Sequence, residues 1–275
     1  MAQSQPKLGR LEPFYGWYKQ VGGNTLENPA TKQILLIMKN SFVAFFDILG
    51  FKNMVEKNSH EELMEAYEFG LYESLDTAER TTNLIMGMIT PPEELDSLKI
   101  QIYVISDSII FIQDTLTQRG LLYIISYCRM LIGSAMADGI PIRGGLSFGP
   151  VSVDTKRGTT IVGLGLTKAY NLESKQQWAG GIVDKECFEI VPKENEDIVN
   201  NLINNKKNPI LTKYNVPQKD GTVKEELAMD WTIYQLIKNE EDVRSAFSKH
   251  NKEINDDVEM KIQNTIDFYN NVKSR

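Results

Sequence analysis

Ser41-Phe-Val-Ala-Phe-Phe-Asp-Ile-Leu-Gly-Phe51 is an apolar run broken by a single acid, Asp47, and closed by Gly50. Its length and its aromatic and β-branched content predict a buried strand over 42–49. A lone ionised carboxylate in a packed interior is costly unless something cationic meets it. The pattern returns in Ile100-Gln-Ile-Tyr-Val-Ile-Ser-Asp-Ser-Ile-Ile-Phe-Ile112, where Asp107 stands between two apolar runs. That stretch predicts a tight hairpin over 99–113 with Ser106-Asp107-Ser108 at the turn. Two acids at the ends of two buried strands point to a shared metal site.

Outward from these strands the punctuation is regular. Ser59-His-Glu-Glu62 has the capping-box spacing, and Leu63, Ala66, Tyr67 and Leu71 then recur at helical intervals. Leu121 to Asp138 predicts a buried helix stopped by Gly139 and Pro141. A strand follows over 140–153, containing Arg143, Gly144 and Gly145, and then a short apolar piece over 161–165. Residues 167–178 have helical spacing, and Gly180-Gly181 leads into a strand at Ile182-Val183. The order β-α-β-β-α-β-β-α-β, with a hairpin inside it, predicts an α/β (α+β) fold: a palm-like, mixed ferredoxin-type β-sheet with helices on one face. Residues 1–40 read as an N-terminal extension, helical only over Thr31–Lys39. Residues 41–235 read as the catalytic domain, ending in a strand at Asp230–Tyr234. Residues 236–275 read as a C-terminal helical segment, whose polar helix over Glu253–Lys273 carries one apolar stripe through Ile254, Val258, Ile262, Ile266 and Phe268.

Bulk properties narrow the function. A chain of 275 residues can bury a large core. A net charge of −7 argues against a phosphate-neutralising surface, so no nucleic-acid partner is expected. Cys128 and Cys187 are too few for a disulfide framework and fit a reducing cytoplasm. Met1–Lys7 has no apolar core behind it, and the apolar stretch Leu121–Ile132 is too short to span a bilayer, so a cytoplasmic protein without a membrane partner is expected. His60 and His250 sit in polar sequence, which nearly excludes a histidine zinc site or a Ser-His-Asp triad and reads as surface placement. An enzyme built this way works with carboxylates and metal.

Two carboxylates on adjacent central strands can hold two divalent ions about 3.5–4 Å apart for in-line phosphoryl displacement, and hard oxygen ligands suit Mg²⁺ or Mn²⁺. The Gly50 turn and the helix start after it offer backbone amides of Ile48 to Lys52 to an anion. Together these describe a nucleoside-triphosphate site. The competing reading makes Asp47 a helix cap and Asp107 a turn residue.

Phe45-Phe-Asp-Ile-Leu-Gly-Phe51 resembles the first metal-binding motif of the class III nucleotidyl cyclases, Phe-x-Asp-Ile-x-Gly-Phe. Tyr103-Val-Ile-Ser-Asp107 is similar to that family's Lys-x-x-Gly-Asp, and Val162-Gly-Leu-Gly-Leu-Thr-Lys-Ala-Tyr-Asn-Leu-Glu173 to its Gly-x-x-Val-Asn-x-Ala-x-Arg-Leu-Glu. The resemblance covers about 42–190. It implies that Asp47, Asp107 and the Ile48 carbonyl bind two divalent cations, and that Phe46, Ile48, Leu49, Gly50, Phe51 and Lys52 line the triphosphate. It further implies attack of a 3′-hydroxyl on the α-phosphate, release of pyrophosphate, and a homodimer with active sites between antiparallel protomers.

The departures from the family pattern are informative. Tyr103 stands where purine-specific members carry the Lys or Glu that reads the base, and Thr160 stands near the second base-selecting position. Thr167 replaces the ribose-orienting Asn, and Asn171 replaces the transition-state Arg. Arg143 and Lys168 are the candidate replacement cations, with a structural ion pair as the alternative for Arg143 and a solvated position for Lys168. Tyr170 and Glu173 read equally as functional or packing residues. The combination resembles the pyrimidine cyclases of bacterial Pycsar antiphage systems. That resemblance implies UTP or CTP as substrate, with UTP weakly preferred, and a cyclic product acting on a separate effector protein. A purine cyclase and a degenerate nucleotide-binding domain are the alternatives.

Overall fold

The computed structural model describes residues 38–156, 158–192, 209–233 and 236–275. Residues 1–37, which hold most of the expected extension and its helix, and Tyr234 lie outside them. The motif strand is β1 (Lys39–Ile48), so Lys39 and Asn40 belong to a strand rather than to a helix end. It is followed by α1 (Phe51–Lys57) and α2 (His60–Ala66), whose Ser59–Glu62 capping box is present. A π-helical turn over 67–72 runs on into α3 (Glu73–Gly87). After the short α4 (Pro92–Leu95) come β2 (Gln101–Ile105) and β3 (Ser108–Gln113), the expected hairpin. Then follow α5 (Gln118–Ala137), β4 (Ile142–Asp154), β5 (Thr160–Val162), α6 (Leu164–Lys175), β6 (Gly180–Val183) and α7 (Glu186–Glu189). The chain closes with β7 (Leu211–Pro217), β8 (Val223–Met229), α8 (Glu240–Ser248) and α9 (Asp256–Lys273).

The strands form one mixed sheet in the order β2-β3-β1-β4-β6-β8-β7, with β5 paired to the far end of β4. β4 and β6 are parallel, and the other pairs are antiparallel. Alternation along β1 divides the sheet's faces. Phe42, Ala44, Phe46 and Ile48 point into the main core with α5, where Phe46 meets Phe111 and Phe111 meets Tyr127. α5 is apolar all round, which is the pattern of a helix buried on every side. At 20 residues it is long and apolar enough to cross a membrane, but nearly all of it is buried inside the fold.

Val43, Phe45 and Asp47 point to the opposite face, and helix α6 covers part of it. Helices therefore flank both faces, where the sequence predicts one. Glycines permit the second layer: Gly149 and Gly165 bring strand and helix backbones together, and a Cβ at Gly145 would lie 2.5 Å from Leu172 Cβ.

Two other expectations are corrected. Asp230–Ile233 is a turn rather than a strand, because Asp230 Oδ1 accepts from the Thr232 amide (3.0 Å) and hydroxyl (2.8 Å), folding the backbone locally. The late strands are instead β7 and β8. The C-terminal helix does more than present a weak stripe. Ile262, Ile266 and Phe268 of α9 are buried in the main core, and Phe268 packs on Trp178, Tyr214 and Trp231.

Candidate active site

β1 lies between β3 and β4, so Asp47 has Ser108 opposite it on one side and Arg143 on the other. Asp107 immediately precedes Ser108 in the hairpin turn, where Ser106 adopts φ 56°. The Asp107 carbonyl accepts from the Ile48 amide at 3.0 Å, and Tyr67 Oη donates to the Ser106 carbonyl at 2.7 Å. The two motif acids are thus brought to one rim of the sheet. Asp47 is not in the α5 core; it sits at the edge of the α6 face with 29% of its side chain exposed.

Negative charge is crowded at this rim. Burial, then Glu173, then Asp107 push the Asp47 carboxyl up from 3.8 to about 6, against the opposing pull of Arg143 and Lys219. Arg143 is itself buried and fully engaged. Its Nε donates to Glu173 Oε1 at 2.7 Å, its Nη2 donates to the same oxygen, and its Nη1 donates to the Gln176 carbonyl at 2.9 Å. Asp47 Oδ2 is 3.8 Å from Nη2. Gln176 completes the cluster by donating to the Gly144 carbonyl at 2.9 Å and accepting from Trp178 Nε1 at 2.7 Å. Arg143 therefore has the contacts of a structural ion pair, the second of the two roles open to it from sequence.

The Gly50 turn differs in detail from expectation. The Ile48 amide bonds Asp107 O and the Leu49 amide bonds Pro141 O at 2.9 Å, so neither faces an anion. Among the described residues, the amides of Gly50, Phe51 and Lys52 have no backbone acceptor, as expected where a helix begins. Gly50 adopts φ 77°, a region that favours glycine. The Phe46 side chain is fully buried on the opposite face and cannot line this site. Phe51 packs edge-on against Tyr67, and Lys52 is exposed, 3.7 Å from Glu56.

Other predicted residues lie elsewhere on the α6 face. Tyr103 pairs with Ile110, which pairs with Phe45, so Tyr103 shares Asp47's face two strands away; its hydroxyl donates to Gln101 Oε1 at 3.0 Å. Thr160 pairs with Asp154 at the far end of β4, roughly 35 Å along the strand from Arg143. Thr167 bonds the Gly163 carbonyl at the start of α6, and Lys168 is paired with Glu186 and bonds the Phe148 carbonyl at 3.3 Å. Asn171 and Tyr170 are exposed on α6. Within one chain, Thr160 and Thr167 do not meet Asp47.

Sequence reading missed Lys219. It stands in the β7–β8 turn, tied to α6 by its amide bond to the Lys175 carbonyl at 2.8 Å. Its charge couples to Arg143, Glu173 and Asp47, and burial lowers its pKa. Asp220-Gly221 beside it was the available signal, a hairpin-turn dipeptide with Gly221 at φ 82°. His250 is not a plain surface residue either: it is half-buried, with Nε2 2.9 Å from the Asp138 carbonyl.

Among the described residues no group of three or more His, Cys, Asp or Glu side chains is placed to hold a metal. The donor set is two carboxylates and backbone oxygen. That set fits Mg²⁺ or Mn²⁺, which commonly take one or two protein carboxylates and complete their shell with water and substrate phosphate. Burial first, and Glu173 and Asp107 after it, disfavour the ionised Asp47 carboxylate, and a divalent cation beside it would favour that form.

No protein-family model matches the sequence, and no curated protein matches it. Solved structures similar to the chain include nucleotide cyclase domains. The catalytic core of a rhodopsin-guanylyl cyclase with converted specificity, in complex with ATPαS, is 15% identical over 70% of this chain and 95% of that chain, with a TM-score of 0.42. The adenylyl cyclase CyaB from P. aeruginosa is 17% identical over 70% and 95%, with a TM-score of 0.40. A bacterial light-regulated adenylyl cyclase is 13% identical over 76% and 98%, with a TM-score of 0.42.

Proposed function

We propose that the chain is a nucleotidyl cyclase acting on a pyrimidine nucleoside triphosphate, UTP or CTP. The observation that carries this reading is the placement of Asp47 and Asp107 at one rim of the sheet, beside the Gly50–Lys52 amides that have no backbone acceptor. Carboxylates for divalent cations next to helix-start amides for phosphate make a triphosphate seat. Two divalent cations, Mn²⁺ or Mg²⁺, would be held by Asp47, Asp107 and the Ile48 carbonyl, and would neutralise charge on the α-phosphate. In the reaction the ribose 3′-oxygen forms a bond to the α-phosphorus and its proton passes to solvent. The bond from that phosphorus to the bridging oxygen breaks, and pyrophosphate leaves with the electron pair.

This reading calls for a homodimer, because Thr160 and Thr167 lie far from Asp47 in one chain and an antiparallel partner would supply them. With Arg143 held by Glu173, Lys219 becomes the candidate cation for the developing phosphate charge, alongside Lys168 and the uncharged Asn171 from the partner. Tyr103 on the Asp47 face would meet the base, and its bulk favours the smaller pyrimidine ring. The cyclic nucleotide would act as an antiphage messenger on a separate effector in the cytoplasm.

Incubation of the purified protein with each of the four nucleoside triphosphates and Mn²⁺, with products identified by mass, tests the proposal. Cyclic UMP or cyclic CMP plus pyrophosphate is the expected result. All four nucleotides returned unchanged, also with extract of infected cells, would overturn it. The engagement of Arg143 by Glu173 favours one alternative, a domain that binds nucleotide without chemistry. Thermal stabilisation by a nucleotide without pyrophosphate release is its signature.

A further inference from the structure

The connection between α8 and α9 lies against the Gly50 turn, and its side chains are arranged around the end of α5. Lys249 Nζ donates to the Ala137 carbonyl at 2.7 Å, His250 Nε2 lies 2.9 Å from the Asp138 carbonyl, and Lys252 Nζ donates to the Gly139 carbonyl at 2.7 Å. Three successive orphan carbonyls at a helix C-terminus, where cations are favoured, are thus satisfied from one short segment. Lys252 Nζ also donates to the Ala246 carbonyl at 3.1 Å. The same segment grips α1. The His250 carbonyl accepts from Asn58 Nδ2 at 2.7 Å, Asn251 Nδ2 donates to Asn58 Oδ1 at 2.9 Å, and the Glu253 amide donates to Asn53 Oδ1 at 2.7 Å.

Two left-handed glycines receive the lysine stems. A Cβ at Gly139 (φ 83°) would overlap the Lys249 side chain, and one at Gly50 (φ 77°) would lie 3.2 Å from Lys252 Cδ. The segment is itself unusual, since His250 (φ 58°) and Asn251 (φ 56°) are consecutive non-glycine residues in the left-handed region. Two such residues in a row are uncommon outside glycine, and they persist where surroundings impose them. A cavity of about 420 Å³ opens between turn and segment, lined among others by Gly50, Lys52, Asn53, Lys252, Asn255 and Lys261.

We infer that residues 249–253 are a strap that fixes the Gly50 turn, with Lys252 as the positioning residue for the phosphate-facing amides of that turn. The inference rests on the proposed triphosphate site for its functional consequence, and on contacts alone for its mechanical part. Lys252 spans the two walls of the turn: its stem covers Gly50, and its ammonium holds the Gly139 carbonyl just before Pro141, whose carbonyl accepts from Leu49. Loss of the Nζ group releases the Gly139 carbonyl and loosens the adjoining Pro141 carbonyl that holds Leu49, leaving the stem alone against Gly50.

Hydrogen exchange of the full-length chain carrying Lys252→Met tests the mechanical part, since methionine keeps an unbranched stem over Gly50. The amides of Leu49 and Met54 are expected to exchange at least tenfold faster, while those at the centre of β1 and β4 stay unchanged. Asn53→Ala, which removes only the link to Glu253, should produce the same local effect if Lys252→Met folds poorly. Unchanged exchange at Leu49 and Met54, or an acceleration spread evenly over the sheet, overturns the strap. Calorimetric binding of inorganic tripolyphosphate with Mn²⁺ tests the consequence separately, with at least fivefold weaker binding expected in Lys252→Met. Equal binding by variant and wild type overturns the positioning role. Failure of the wild type to bind tripolyphosphate overturns the triphosphate reading instead, and the exchange result still decides the strap.

Discussion

Arg143 places both Nε and Nη2 on a single oxygen, Oε1 of Glu173, and both side chains are almost wholly buried. Breaking such a pair by removing one partner typically costs about 3–5 kcal/mol, because the other charge stays buried and unmatched. Arg143→Met and Glu173→Gln should each lose stability on that scale in urea unfolding. The double variant Arg143→Met/Glu173→Met should recover most of the loss. Single-variant losses below about 1 kcal/mol would mean that the cluster is solvated.

Asp47 gives a pH-dependent prediction. Its folded-state carboxyl titrates near 6 against 3.8 in an unfolded chain, so the native state holds a proton that the unfolded state releases. Its contribution to stability is complete below pH 3.8, declines between pH 3.8 and about 6, and is absent above. Full linkage would be worth about 3 kcal/mol, and contact with solvent reduces the expectation to about 1–2 kcal/mol. In chelator at pH 7.5, Asp47→Asn should therefore unfold at a higher temperature than wild type, with the gap closing by pH 4. Added Mn²⁺ should stabilise wild type and leave Asp47→Asn unmoved. A variant less stable than wild type at pH 7.5 in chelator would contradict the crowding of charge at this rim.

The parts of the fold legible in sequence were those with one dominant signal. β1, α5 and β4 are apolar runs with Gly or Pro at an end, the β2–β3 hairpin is two apolar runs about a Ser-Asp-Ser turn, and each forms near its expected place. The β7–β8 pair was missed because Lys213, Asn215, Lys224 and Glu225 give it a half-polar pattern, although Asp220-Gly221 announced its turn. Asp47 and Asp107 were legible because acids interrupt apolar strands. The partners of Arg143 were not, since register across β1 and β4 and the placement of α6 bring Glu173 to it. The role of Lys252 was equally hidden: its partners are backbone carbonyls, one of them, at Gly139, more than a hundred residues away, and a carbonyl has no sequence signature.

Gly144 and Gly145 carry opposite faces of β4. A Cβ at Gly144 would overlap the ring of Phe46, which is itself packed on Phe111. At Gly145 it would press on Leu172 and lift α6 from the sheet. Overpacking of this kind costs about 1–3 kcal/mol where neighbours can give way. Gly144→Ala should meet the upper end of that range or exceed it, because Phe46 is enclosed on all sides. Gly145→Ala should be no milder, because its Cβ meets Leu172 Cβ and the Ala169 carbonyl of α6, and any shift of that helix also strains the Glu173–Arg143 pair. A urea midpoint unchanged by Gly144→Ala would show that the core around Phe46 is loosely packed.

The separation of Thr160 and Thr167 from Asp47 makes the proposed two-chain site testable by mixing. Asp47→Asn removes a metal carboxylate from one half-site, and Thr167→Ala with Asn171→Ala alters the other half-site. Each variant alone should form dimers without a complete site. Random exchange of protomers makes about half of the dimers mixed, and each mixed dimer of a two-fold assembly contains one intact site of two. Co-refolded or slowly exchanged mixtures should thus recover about a quarter of wild-type cyclic nucleotide production. No recovery, with mixed dimers demonstrated by native mass spectrometry, would place the whole site in one chain and require α6 to move toward Asp47.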